Sequence, residues 1–521
     1  MIIKKIKIIE KSTKYHSNPT LIFNSICEDK KYTLLLESSE VKTKKNLTSM
    51  MIIDSAVRIT CEKNIVKIKS LTENGKIIID KIRKLISNKI KTKYFKNDKI
   101  KFFFKKKKNI DEDEDTKLKS ESVFDSLRYL IELLKTNNSK KNEKIFFGGL
   151  FSYELINNFE KIKYKNKNEK LCPDFCFYLS EILLTFNHKK KKCFIQGIVL
   201  NKNKIIEKKI KNRINFLIKK LSKKQKKIKR EIIKKINYQK NVSDEKYIKI
   251  IKKMKKKIKK GDIFQVVPSR KFFIPCKSHL LSYNELKKKN PSPYMFYMQD
   301  KEFILFGSSP ESSLKFDPKN RNIEIHPIAG TRKRGFKKNG EIDLDLDSRI
   351  ELEMRTDKKE IAEHLMLVDL ARNDLARICE KGTRYVSDLI KVEKYSFVMH
   401  LVSRVVGKLK KELDVFHAYR ACMNMGTLTG APKIKAMQLI SKYEKEKRGI
   451  YGGSIGYFTS SGLFDTSIII RSAFIKNNIA TIQSGAGIVL DSIPELESKE
   501  SINKAKAVLL AIINTHSKKR K

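Results

Sequence analysis

The sequence predicts an α+β protein of layered antiparallel sheets flanked by helices. Three observations carry that prediction. Short apolar runs of strand length recur at Leu34 to Leu36, Phe102 to Phe104, Ile145 to Phe147 and Ile182 to Phe186, separated by polar turns. Helical periodicity follows, from Ser243 through Tyr247, Ile248, Ile250, Ile251 and Met254 to a stop at Gly261, and again over Ile361 to Ala376. No βαβ glycine fingerprint occurs, which disfavours a doubly wound parallel sheet.

The chain has 521 residues, more than one hydrophobic core usually supports. Composition divides it into a mixed N-terminal region (1–200), a lysine-rich connector without Gly or Pro (201–242) and a second domain (243–515). Residues 105–119, KKKKNIDEDEDTKLK, read as an exposed loop. The connector reads equally as a helix or as an arm.

The formal charge of +57 raises nucleic acid or an anionic membrane as partners. The lysines are spread along the chain, however, Ile and Asn are abundant, and Trp is absent. That is the composition of an A+T-rich coding sequence acting on tolerant surface positions, so neither nucleic acid nor membrane is expected as a partner. No apolar run reaches the roughly 18 to 20 residues that span a bilayer, and MIIKKIKIIEK carries too many lysines for a signal helix. Eight irregularly spaced cysteines imply reduced thiols and a cytoplasmic location. Cys172 and Cys176 in CPDFC lack a second pair at zinc-site spacing and read as buried thiols.

Two carboxylate doublets stand out, Glu360 with Glu363 and Glu497 with Glu500, each at the i, i+3 spacing that shares a helix face. Two such helices facing each other would offer Mg²⁺ hard oxygen ligands. Alone, a doublet is more often a solvated, ion-paired face, but Leu365, Val368 and Leu375 predict that the first helix is partly buried. Glycines in IAGTR (328–332), YGGSIGYF (451–458) and SGAG (484–487) would let backbone N–H groups approach an anion. Arg471 follows SIII and would project from a buried strand, seeking either an anionic ligand or a structural carboxylate. His400, in the apolar YSFVMHLVSRVVG, is either a satisfied core residue or a proton carrier. Thr427 and Thr429 in MGTLTGAPK offer hydroxyls that would otherwise cap the helix after Pro432.

The stretches GDIFQVVPSR, NPSPYMFYM, FGSSPESSL, HPIAGTRKRG, LDSRIELEMRTDKKEIAEHLMLVDLARND, VMHLVSRVVG, MGTLTGAPKIKAM, YGGSIGYF and QSGAGIVLDS resemble the chorismate-binding enzymes, in their anthranilate-forming branch. The likeness is strong over 243–512 and extends to LLLESSE and GGLFSYEL in the N-terminal region. It implies a fold of that family, with 243–515 as catalytic domain and 1–200 as regulatory region. It implies Mg²⁺-dependent conversion of chorismate and ammonia to anthranilate and pyruvate, for tryptophan synthesis.

By the same resemblance Glu363 and Glu500 are the metal ligands, supported by Glu360 and Glu497. Gly330, Thr331, Tyr451, Arg471, Gly485, Ala486 and Gly487 line the chorismate pocket, His400 transfers the proton, and Thr427 supplies a hydroxyl. Lys499 departs from the family pattern beside Glu500. Ala329 stands where aminodeoxychorismate-forming relatives often carry a nucleophilic lysine, and Gln265 where isochorismate-forming ones carry a lysine that activates water; both favour ammonia attack yielding anthranilate over those relatives. Glu37, Ser38, Pro293, Tyr294 and Met295 match the site of feedback inhibition by L-tryptophan, with Thr48 in place of a frequent lysine. No GxCxG nucleophile motif occurs, so ammonia is expected from a glutamine amidotransferase subunit in a heterotetramer.

Overall fold

The computed structural model describes residues 3, 6–38, 47–85, 91–95, 98–105, 113–162, 172–337, 339–395 and 398–517. The elements that position the site are β1 (Thr33–Glu37), β2 (Thr48–Glu62), β3 (Phe146–Phe151), β4 (Phe175–Asn187), β5 (Tyr294–Gln299), β6 (Ile304–Ser309), β7 (Ile328–Lys333), β8 (Tyr385–Lys394), β9 (Val398–Lys408), β10 (Ser454–Thr459), β11 (Phe464–Ile468), β12 (Ser472–Lys476) and β13 (Ile479–Gly485). The helices needed are α1 (Lys204–Ser222), α2 (Lys358–Ala376) and α3 (Pro494–His516).

The strands form one branched antiparallel sheet system, as the alternation of short apolar runs and turns predicts. β3 pairs with β4, β4 with β2 and β2 with β1; β1 then pairs with β5, β5 with β6, β6 with β12 and β12 with β13. β3 also pairs with β10, and β10 with β11. The sheet therefore runs through strands from both sides of the lysine-rich connector. One buried ion pair reinforces the crossing: Arg58 on β2 donates Nε and Nη2 to Asp300, just beyond β5, at 2.8 Å each, and the Tyr178 hydroxyl on β4 donates to the same carboxylate. Such a fork is the geometry in which a buried charge finds both partner and hydrogen bonds.

Within the connector, α1 is capped by Asn203, whose side chain accepts from the N–H groups of Ile205 and Ile206. It buries Ile206, Ile210, Ile214, Leu217 and Leu221, a stripe at helical spacing in a lysine background. The exposed loop expected at 105–119 is corrected in part. Residues 106–112 lie outside the described residues, but Glu114–Lys119 is a short helix that buries Leu118, capped by Asp113. On α2, Val368 and Leu375 are buried as expected, whereas Leu365 is 42% exposed. The eight cysteines are free thiols; seven are buried and Cys172 is half-buried.

Candidate functional site

The N-terminal half of α2 presents the first doublet. The Asp357 carboxylate accepts the Glu360 N–H at 3.0 Å, and Arg332 at the end of β7 pairs with Glu360 Oε1 at 2.5 Å. The other oxygen, Glu360 Oε2, is buried without a hydrogen-bond partner among the described residues. It lies 2.8 Å from where a Cβ on Gly330 would stand, and Gly330 has φ +65° at a bulge between β7 and β9. Glycine is required there twice, by the left-handed backbone and by the space beneath it. One turn on, Glu363 Oε1 accepts from Gln265 Nε2 at 2.7 Å, leaving the buried Gln265 Oε1 without a partner among the described residues. A Cβ on Gly487 would stand 2.8 Å from Gln265 Nε2 and 3.1 Å from Glu363 Oε1.

His400 projects from β9 with Nδ1 3.0 Å from Thr331 Oγ1 and 3.2 Å from the Gly330 carbonyl. A carbonyl oxygen only accepts, so Nδ1 carries the proton and Nε2 is the basic nitrogen. Burial pushes His400 down to about 3, the nearby Arg471 charge pushes the same way, and the Gly330 hydrogen bond opposes them. The imidazole is therefore neutral at physiological pH.

A second group faces the first. Arg471 lies between β11 and β12 with φ +48°, so it leaves the sheet at a turn and does not project from within a strand as the sequence suggests. Burial lowers its pKa, opposed by Glu311 and then Tyr395. Glu311 is a residue that sequence reasoning missed. It is 5% exposed. Burial drives it up to about 8, and the Thr427 hydroxyl, Arg471 and Lys504 each pull the other way. In the sequence it is one acid in SSPESS, and only its neighbours in space distinguish it. Tyr451 is buried beside the backbone N–H of Gly485, its pKa raised mainly by burial.

Not every expected residue lies among these groups. Ala486 packs its methyl into an apolar cluster with Tyr247 and Ile251, so only its backbone is left for a ligand. Gly485 is demanded by strand packing, since a Cβ would stand 2.1 Å from the Pro268 carbonyl. On α3, Glu497 is buried while Glu500 is exposed and pairs with Lys504 at 2.6 Å. Thr427 and Thr429 do not cap the helix after Pro432, which has no side-chain cap, and the Thr429 hydroxyl donates to Met425 O instead.

Among the described residues no three His, Cys, Asp or Glu groups form a metal cluster. The partnerless Glu360 Oε2, with the Glu363 carboxylate one turn on, does fit a group that takes carboxylate oxygens from the protein and completes its shell with substrate and water, as Mg²⁺ does. A cavity of about 1340 Å³ lies behind α2 against Met366, Leu370 and Phe264, away from these carboxylates.

The residues expected at the inhibitor site also come together. Met295 on β5 pairs with Glu37 on β1, so Ser38 leaves that pair on one strand as Tyr294 enters it on the other. The Glu37 carboxylate is buried and engaged by Thr20, Tyr283 and Lys287, so it holds the strands and is not open to a ligand. Ser38 Oγ is buried without a partner among the described residues. Tyr294 donates to Asp465 at 3.2 Å, and Thr48 opens β2 opposite Asn187.

The family described as chorismate binding enzyme matches residues 86–510. Anthranilate synthase component 1 of Buchnera aphidicola subsp. Pemphigus spyrothecae is 58% identical over 513 residues, covering 98% of each chain. The protein of the same name from Escherichia coli (strain K12) is 50% identical over 96% of each. Among solved structures, anthranilate synthase component I from Streptococcus pneumoniae TIGR4 superimposes with a TM-score of 0.69 at 27% identity, covering 90% of this chain and 94% of that one. The menaquinone-specific isochorismate synthase of Escherichia coli shares the fold, with a TM-score of 0.67 at 16% identity over 98% and 95%.

Proposed function

We propose, since this chain belongs to the chorismate-binding enzyme family and within it to the anthranilate synthase component 1 proteins, that the cleft between Glu363, His400 and Arg471 converts chorismate and ammonia to anthranilate, pyruvate and water. The observation that carries the reading is the Gln265–Glu363 pair, because the free amide oxygen of Gln265 suits an incoming N–H donor. A lysine there would instead favour water as nucleophile.

Arg471 grips a substrate carboxylate with its planar fork. Gly330, Thr331, Tyr451, Gly485, Ala486 and Gly487 shape the pocket, chiefly through backbone groups. Magnesium, held by Glu363 and Glu500 with Glu360 and Glu497 near it, would supply positive charge for the ring carboxylate once Glu500 exchanges its Lys504 partner. Ammonia attacks C2, and the C4 hydroxyl leaves as water with a proton from Glu311, which burial keeps protonated near neutrality. His400 Nε2 accepts the ring proton as the enolpyruvyl group departs, to emerge as pyruvate, and Thr427 adds a pocket hydroxyl near Glu311.

The component 1 name of the relatives implies a component 2 partner. We read that partner as a glutamine amidotransferase delivering ammonia, in a heterotetramer. Residues 1–200, with Ser38 beside β5, form the regulatory part that senses L-tryptophan, and 243–515 the catalytic part. No described helix is long and apolar enough to cross a membrane, and the free thiols suit a cytoplasmic setting. Mass-spectrometric analysis of the products from chorismate, Mg²⁺ and ammonium tests the reading: anthranilate with equimolar pyruvate supports it, and isochorismate or aminodeoxychorismate overturns it.

A further inference from the structure

We infer that His364 is a positioning residue, which sets the rotation of α2 and so the placement of Glu360 and Glu363; the inference rests on the role proposed for those carboxylates. The two halves of α2 are held differently. Leu367, Val368, Ala371 and Leu375 seat its C-terminal half in the core. Among the described side chains from 358 to 366, only His364 is buried, at 0% exposure. Apolar packing therefore does not fix the half that carries the carboxylates.

A hydrogen-bond network takes its place. His364 Nε2 lies 2.6 Å from the hydroxyl of Ser403 on β9, which is itself fully buried. The same hydroxyl accepts the Ile390 N–H at 2.9 Å. Ile390 sits in an irregular stretch of β8, where the register shifts between Asp388 and Lys391, and has φ +51°, a conformation rare for a β-branched residue. The irregular stretch frees one backbone donor, and Ser403 uses it to join β8, β9 and α2 at a single oxygen. His364 Nδ1 has no described partner, so this bond is the whole of its polar anchorage.

Geometry makes the anchor consequential. Successive helical residues lie about 100° apart, so His364 faces the sheet while Glu363 turns toward Gln265. Side-chain ends lie about 5–6 Å from the helix axis, so a rotation of about 10° moves a carboxylate by about 1 Å. Misplacement of that size costs about 10²-fold in rate, and loss of a group that orients a metal ligand costs about 10- to 100-fold in affinity.

The test compares His364→Phe, which keeps a planar ring but no hydrogen bond, with His364→Gln, which returns a polar terminus within reach of Ser403, and with Ser403→Ala. Mn²⁺ binding in the presence of chorismate, without ammonium, is followed by electron paramagnetic resonance. Thermal unfolding and kcat/KM for chorismate are measured alongside. The Phe and Ala variants should bind Mn²⁺ at least about 10-fold more weakly while remaining folded at 25 °C, with His364→Gln within about threefold of wild type. The double variant His364→Phe/Ser403→Ala should be no worse than either single one. Wild-type Mn²⁺ affinity in the Phe variant, or a Gln variant as impaired as Phe, would overturn the inference. Failure of the wild-type chain to form anthranilate would instead overturn the proposed function.

Discussion

A carboxyl group that donates a proton near neutrality needs burial more than it needs position in a motif, and Glu311 has that burial. Its replacement by Gln should lower kcat/KM for chorismate by about 10² to 10⁴, the usual worth of a placed acid. The sign of the pH effect follows from the direction of the shift. The acid works protonated, so at constant free ammonia kcat/KM should hold below about 8 and decline as pH rises through that value, and the decline should vanish in Glu311→Gln. Gly487→Ala tests the opposite wall. The new Cβ stands against both Gln265 Nε2 and Glu363 Oε1 and must part them, so activity should drop about 10²-fold in steady-state assays with little change in the unfolding temperature. His400 and Glu363 were legible because an imidazole in an apolar run and a doublet on a half-buried helix are visible along the chain. Glu311 was not, since its distinction lies in Thr427 and Arg471, more than a hundred residues away. The backbone turn at Arg471 was hidden for a related reason: SIIIR continues the apolar pattern of β11 past the point where pairing stops.

At the scale of elements, the pairing of β1 with β5 brings Leu34 to Glu37 against Met295 to Met298, which no local pattern could register. Ser38→Val removes a buried hydroxyl just beyond β1 and should raise the L-tryptophan concentration for half-inhibition by about 10-fold, as expected for a lost hydrogen bond, without altering KM for chorismate. The α1 stripe shows a different limit of the sequence. Ile206, Ile210, Ile214, Leu217 and Leu221 keep helical spacing, but lysines on every other face dilute the signal that would have chosen helix over arm. Where β3 ends, Glu154 accepts the N–H of Arg448 and burial drives it up to about 7. Its folded value exceeds the unfolded carboxyl value of about 4.3, so its contribution to stability is full below that pH and is lost as pH rises through about 7. Glu154→Gln should therefore flatten the fall in unfolding free energy between pH 4 and 8 in urea titrations.

For the whole molecule, the antiparallel α+β class was legible in the short strands and capped helices, while the interleaving of strands from both ends of the chain was not, because register between segments hundreds of residues apart leaves no trace in composition. Charge behaves likewise. The total of +57 describes the surface, whereas the chemistry depends on a few acids that burial or pairing has set apart from it. The central claim is that one cleft, built around the Gln265–Glu363 pair, makes anthranilate, and its fluorescence reports this directly. Purified chain given chorismate and ammonium should produce anthranilate fluorescence when Mg²⁺ is added and none after chelation, with Glu363→Gln at least about 10²-fold slower. Chorismate consumed without anthranilate, or a Glu363→Gln variant as fast as the wild type, would contradict the account.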